Sequence, residues 1–542
     1  MQTLNKSLFG QYLLGQSLIS EDQLQIALRE QQRSGMLLGQ QLCALGFLNA
    51  ATLDQALAQR AGSAVQPLPS ALVDPLTLAL ISENIARQYR VLPLRYDATR
   101  KHLVLAVASP NPLPTLDRLR WSLPPGCTVE TCLVAESGLL ASIDQNYHRA
   151  ADLDVLLALL TANARADYAE DTPLARLVDA LLDDAAHHGA SDIHFEPERA
   201  HTRIRYRVDG VLCTRRLVHA EHWPAILVRL KLLAGMDIAE SRAAQDGRFS
   251  RACGHRMLDI RAASLPVIFG ENLVLRLLDR NKGVLPLAQL GLPAASLEQL
   301  QHMIQRPSGL LLMTGPTGSG KTSTLYSILA QLSTERVNIM TLEDPVEYQM
   351  PGLRQCSLGD AVKLDFVEGV RAMMRQDPDI LLIGEIRDAA SAATALRAAL
   401  TGHLVLATLH THSAIGALPR LLDLGISAAL LSECLIGVIA QRLVRKRCHA
   451  CTDAEAAEAA CLACGGSGYR GRAAVMSLLP LNPTRVRHFL DPAHYASAHA
   501  AALQAGYLPL AAVARHYVEA GITDAAEALR VTGEEVDDAL SL

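Results

Sequence analysis

Apolar positions along the chain follow three patterns, each predicting a different kind of element. Late in the sequence, unbroken apolar runs bounded by breakers (GLLLMT at 309–314, DILLIGE at 379–385, the centre of TGHLVLATLHT at 401–411) read as buried strands. STLYSILAQL, after the first of these, reads as a helix. Leu174, Leu177, Val178, Leu181 and Leu182 recur at helical spacing, whereas HTRIRYRVDG (201–210) alternates with strand period and sets arginines on one face. The run HLVLAVA (102–108), flanked by SPNPLP, predicts a strand in a small α/β unit over 63–148. The acidic, alanine-rich stretch 151–172 reads as a linker or an exposed helix.

An internal repeat opens the chain. Gly10, Leu13, Leu24 and Leu28 recur 29 positions later at Gly39, Leu42, Leu53 and Leu57. Ser20 followed by Gln23 predicts a capping box, Leu24 and Leu28 supply an apolar face, and Asn49 takes the capping place in the second copy. The plain reading is a small helical domain whose leucines are its core.

The length of 542 residues calls for three or four domains. Charged residues make up 19% and the net charge is -5, unlike the basic footprint of a dedicated nucleic-acid binder. The N-terminus does not read as a secretory signal, and no apolar stretch approaches the roughly 20 residues that span a bilayer, so a cytoplasmic protein is expected. Of 11 cysteines, four form two Cys-x-x-Cys pairs, Cys448 with Cys451 and Cys461 with Cys464. In a reducing compartment four such thiolates fit a closed structural zinc site.

GPTGSGKT (315–322) matches the P-loop pattern in full, between a strand and a helix. Gly315, Pro316, Thr317, Gly318, Ser319, Gly320, Lys321, Thr322 and Ser323 are the candidate nucleotide-binding residues. The glycines let backbone N–H groups face the phosphates, Lys321 reaches the β- and γ-phosphates, and the Thr322 hydroxyl ligates magnesium. Glu385, ending the second strand, is the first candidate for orienting the attacking water. Glu343 and Asp344 in TLEDPVEY suit magnesium and water positioning, and His403 and His410 bracket one strand near the sheet edge as candidate γ-phosphate sensors. In RLVRKR (442–447) Arg442, Arg445, Lys446 and Arg447 read as a solvated basic face, available to acidic groups of a membrane partner or to anionic lipid.

GPTGSGKTST, TLEDPVEY, RQDPDILLIGEIRD and ALTGHLVLATLHT occur in this order and resemble the Walker A, Asp box, Walker B and His box of the type II/IV secretion ATPase superfamily. The similarity runs from GASDIHFEP at 189 to GYRGR at 468. It implies an α/β fold in which a RecA-like P-loop motor follows a PAS-like α+β domain. It further implies a homo-hexameric ring with ATP between subunits, working through an inner-membrane platform protein at the inner face of the cytoplasmic membrane. In DIRAASLPVIFGENLVLRLL it assigns charge-stabilising roles to Arg261 and Arg276. Secretion and pilus-extension members carry a tetracysteine segment, whereas retraction members lack it. The N-terminal copies at 8–31 and 37–60 resemble tandem cyclic di-GMP-binding motifs, with Leu8 and Leu37 where arginines are expected, Ser17 in place of a glycine and Arg60 in place of a glutamine. Leucine can grip neither a guanine edge nor a phosphate.

The domain division is therefore 1–62 (tandem-repeat helical), 63–150 (small α/β), 151–172 (linker), 173–280 (PAS-like) and 281–542 (RecA-like, with the cysteine segment at 448–464). A DNA-handling P-loop motor and a nucleotide-binding scaffold without turnover are the rival readings.

Overall fold

The computed structural model describes residues 4–48 except 17; 52, 53 and 56; 73–147 except 79, 99, 109–112, 120–122, 125 and 135; 156; 172–253; 256–279; 284–358; 365–451; 461; 464; and 466–533. The expected linker 151–172, apart from residues 156 and 172, lies outside these, as do Ser17, Asn49 and Arg60. The chain divides into two compact units, Met1–Lys282 and Gly283–Leu542.

The first unit holds three separate apolar cores. Helices Leu4–Gly15, Glu21–Ser34 and Leu38–Ala44 form the earliest, and Ser20 with Gln23 makes the predicted capping box. The repeat is legible in the packing. A Cβ added to Gly10 would meet Leu24 Cδ1 at 2.7 Å, and one added to Gly39 would meet Leu53 Cδ1 at 2.7 Å. Leu13 and Leu42, equivalent by the 29-residue offset, are both fully buried.

Strands β1 (Val91–Asp97), β2 (His102–Val107) and β3 (Thr128–Leu133) form the next piece, β2 being antiparallel to β1 and parallel to β3. The third core belongs to a six-stranded antiparallel sheet of β4 (Ala190–Pro197), β5 (His201–Val208), β6 (Val211–His219), β7 (Gln245–Cys253), β8 (Arg256–Val267) and β9 (Gly270–Asp279), in the order β6-β5-β4-β9-β8-β7. Helix Pro173–His187, capped by Thr172, buries the five predicted leucine and valine positions there, and helix Trp223–Ala234 joins the same core. On β5, Ile204 and Tyr206 turn inward while Arg203, Arg205 and Arg207 pair with Glu198, Glu196 and Asp192.

The second unit is built on a seven-stranded sheet of β10 (Gly309–Thr314), β11 (Ile339–Glu343), β12 (Arg354–Ser357), β13 (Ile380–Ile383), β14 (Leu404–Leu409), β15 (Leu435–Arg447) and β16 (Tyr469–Pro480), ordered β12-β11-β13-β14-β10-β15-β16. All neighbours are parallel except β15 and β16. On β10, Leu310 and Leu312 enter one core and Leu311 and Met313 another. Both faces of the strand are covered, which is why its sequence shows no polar alternation. The strand between His403 and His410 is central in this sheet, a correction to its expected place near an edge.

Candidate functional site

The P-loop follows the C-terminal end of β10, where ligands collect in open parallel sheets. Gly315 has φ 153° and Gly320 φ 84°. A Cβ on Gly315 would lie 2.5 Å from the Gln441 carbonyl and one on Gly320 2.9 Å from Gln441 Nε2, so sterics as well as torsion require glycine. Helix Lys321–Leu332 starts at Gly320 with no side-chain cap, which leaves its first N–H groups and its dipole directed at the loop. Lys321, only 9% exposed, donates to the carbonyls of Gly315 (2.7 Å) and Pro316 (3.0 Å). Burial, then the nearby Arg442, pulls its pKa down to about 8. Pro316, Thr317 and Gly318 are exposed, Ser319 is buried, Thr322 is half-buried and Ser323 is exposed.

Ionisable groups converge past the same ends of β11, β13 and β14. Glu385, two residues beyond β13, is ion-paired with Arg387, whose Nη2 lies 3.4 Å from Asp344 Oδ2. His410, just past β14, sits with Nε2 3.6 Å from Glu385 Oε2. Burial first, and then Lys321, holds the His410 pKa below its usual value. Thr314 Oγ1 contacts the Thr411 carbonyl at 3.0 Å and accepts its N–H at 2.8 Å, fixing this stretch to the base of the P-loop.

The remaining sequence candidates separate. Glu343 is 4% exposed and accepts hydrogen bonds from Tyr326 (2.5 Å) and Thr341 (2.6 Å) inside the fold, whereas Asp344 faces solvent. His403 precedes β14 at its opposite end, where Nδ1 lies 2.9 Å from the Ala398 carbonyl, so the strand's length separates it from His410. Arg261 and Arg276 belong to the first unit and are direct cross-strand partners on β8 and β9; Arg276 Nε donates to Asp192 at 3.2 Å. The expected basic face is corrected: Lys446 and Arg447 are exposed, but Arg442 is 8% exposed beneath the P-loop and Arg445 is bound to Glu527. Gln441, whose Nε2 donates to the Ser319 carbonyl at 2.7 Å, was missed altogether. Its signal is that β15 outruns β10, with Thr314 pairing with Ala440 and the loop folding over the next residues.

Cys448, Cys451, Cys461 and Cys464 converge with all four sulfurs within 4.8 Å of one another. The Cys448–Cys461 and Cys451–Cys464 separations are 4.0 and 3.5 Å. A tetrahedron with Zn–S bonds of about 2.3 Å has edges of about 3.8 Å, so the set fits zinc with no position left for substrate.

The sequence pattern of the family described as "Type II/IV secretion system protein" matches residues 167–530, which include the P-loop, Glu385 and the cysteine cluster. The chain belongs to this family. That of the MshEN domain matches 62–153, covering the three-stranded unit and lying beside the tandem repeat. The chain is 43% identical over 393 residues to the type II secretion system protein E of Klebsiella pneumoniae, covering 69% of this chain and 78% of that one. It is 35% identical over 508 residues to the type IV pilus assembly ATPase PilB of Myxococcus xanthus, covering 87% and 89%. The Legionella pneumophila ATPase DotB aligns over 65% of this chain and 94% of its own with a TM-score of 0.52 at 22% identity, a likeness of fold alone. This member of the secretion and pilus-assembly ATPases has a RecA-like motor, and no helix among its described residues is long and apolar enough to cross a membrane.

Proposed function

We propose that ATP hydrolysis at Gly315–Ser323 drives extension of a type IV pilus or a type II secretion pseudopilus through an inner-membrane platform protein. The observation that supports this best is the cluster of Glu385, His410, Arg387 and Asp344 past the ends of β11, β13 and β14, with β14 lying next to the strand that leads into the P-loop. Lys321 and the loop N–H groups hold the phosphates, Thr322 holds magnesium, and Glu385 orients water with His410 beside it to register the γ-phosphate. Magnesium, when bound, neutralises charge developing on the phosphates. Asp344 reaches the metal's water shell, while Glu343 acts from the core as a positioning group. His403 takes no part at the phosphates.

In a homo-hexamer, Arg261 and Arg276 complete a neighbouring copy's site, and the ring works at the cytoplasmic face of the inner membrane without nucleic acid. Zinc on the four cysteines supplies structure. The divisions at 62, 150, 172 and 280 serve as the domain scheme. Cyclic di-GMP at the tandem repeat is disfavoured, because the Leu37 side chain, 63% exposed, offers a ligand no hydrogen bond, and position 8 is also leucine. Micromolar affinity in a titration would show that the repeat binds it without those arginines.

The test is ATP turnover by wild type and Glu385→Gln, with light scattering on the same samples. Turnover by hexamers, lost by about 100-fold or more in a variant that still binds ATP and keeps its ring, is the expected result. Nucleotide binding by a wild-type hexamer without turnover would sink the motor reading.

A further inference from the structure

Beneath the P-loop lies a buried positive charge where the basic run had suggested a solvated face. Arg442 is 8% exposed, and a Cβ placed on Gly315 would lie 3.2 Å from its Nη1. The guanidinium donates to two neutral acceptors, the carbonyls of Gln441 (2.9 Å) and His412 (2.8 Å). Among the described residues no carboxylate lies within ion-pairing distance of it, and burial alone depresses its pKa. Lys321, 9% exposed, likewise donates only to carbonyls. Two cations thus share one buried corner without an anion between them. Such an arrangement is costly unless an anion arrives to offset it. Gln441, next to Arg442, anchors the loop from below through the Ser319 carbonyl.

We propose that Arg442 is a second phosphate-charge residue, supplied by the same chain as the P-loop, and that Gln441 is the positioning residue that holds the loop over it. The ligand class is a nucleoside polyphosphate, and the inference rests on reading Gly315–Thr322 as the ATP site. Because Arg442 also holds the His412 carbonyl, phosphate charge drawn to it is tied to the stretch carrying His410.

The experiment is calorimetric titration of the full chain with magnesium and ATP, ADP or AMP, comparing wild type with Arg442→Lys, Arg442→Gln, Arg442→Met and Lys321→Ala. A residue acting by charge predicts that the neutral variants lose about tenfold in ATP affinity, less for ADP and least for AMP, while Arg442→Lys stays near wild type. The ATP-to-ADP ratio is decisive, since only folded protein binds either nucleotide; Arg442→Met, which keeps the side chain's length, serves if the Gln variant does not fold. An equal loss for all three nucleotides, or a Lys variant as impaired as the neutral ones, would mean that Arg442 merely braces His412 and would overturn the proposal. If Lys321→Ala binds ATP as wild type does, the P-loop reading itself fails. Loss in Lys321→Ala with an unchanged ratio in the neutral Arg442 variants sinks the Arg442 inference alone.

Discussion

Arg442 and Arg445 stand three residues apart on the same strand and are treated by the fold in opposite ways. Arg445 donates from Nε and Nη2 to Glu527 Oε2 at 3.0 and 2.8 Å and lies 3.9 Å over the Tyr469 ring. Arg530 holds the same carboxylate at 2.7 and 2.6 Å, and the Tyr469 hydroxyl donates to Asp524 at 2.5 Å. Charge there is balanced inside the protein, tying helix Ala525–Thr532 to β15 just before Cys448. At Arg442 the acceptors are carbonyls and the charge remains. A cation matched by a carboxylate holds the fold together; one left unmatched near a phosphate loop serves a ligand at the fold's expense.

If that contrast is right, the two arginines' surroundings respond oppositely to mutation. The largest effect is expected for Glu527→Ala, which strands Arg445 beside Tyr469 and costs about 3 kcal/mol, measurable as a lower denaturation midpoint. Arg442→Met in the nucleotide-free protein moves the other way, leaving stability unchanged or raising it by about 1 kcal/mol; a loss as large as that of Glu527→Ala would erase the distinction. Tyr469→Phe removes one hydroxyl bond and costs about 1 kcal/mol in the same assay.

Acid sharpens the comparison further. Burial works to raise the Glu527 pKa, but the bonds from Arg530 and Arg445 outweigh it and hold the value at about 2. A folded-state pKa depressed in this way contributes stability that is complete above the unfolded value of about 4.5 and fades as pH falls toward 2. The gap in melting temperature between wild type and Glu527→Gln should therefore be constant from pH 7 to about 5 and narrow below. A gap that widened in acid would show that the carboxylate is not held by its arginines.

How much of this could be read from sequence depended on whether the signal was local. Unbroken runs such as GLLLMT announced strands covered on both faces, and the glycine spacing of the P-loop carried its own torsional logic. Glu385 was singled out because in P-loop enzymes the acid that ends this strand faces the γ-phosphate, and the structure sets it beside Arg387 and His410. Glu343 and Asp344 were not separable, since which of two consecutive acids turns inward depends on Tyr326 and Thr341 waiting in the core. Arg442 was hidden within a basic run whose composition suggests solvent, and only the pairing of β15 with the shorter β10 brings it under the loop. His403 and His410 looked equivalent because symmetry about a strand in sequence says nothing about which of its ends faces the ligand.

The bond from the Cys448 N–H to the Gly468 carbonyl, 2.8 Å, closes the β15–β16 hairpin at its neck. Chain between those two residues is spliced onto a finished ladder, so its length can change without shifting a register that Gln441 and Arg442 depend on. The four cysteines, brought together just beyond that neck, are thus joined along the chain to the motor through β15 and β16, so a change at the cluster reaches the nucleotide end by way of this ladder.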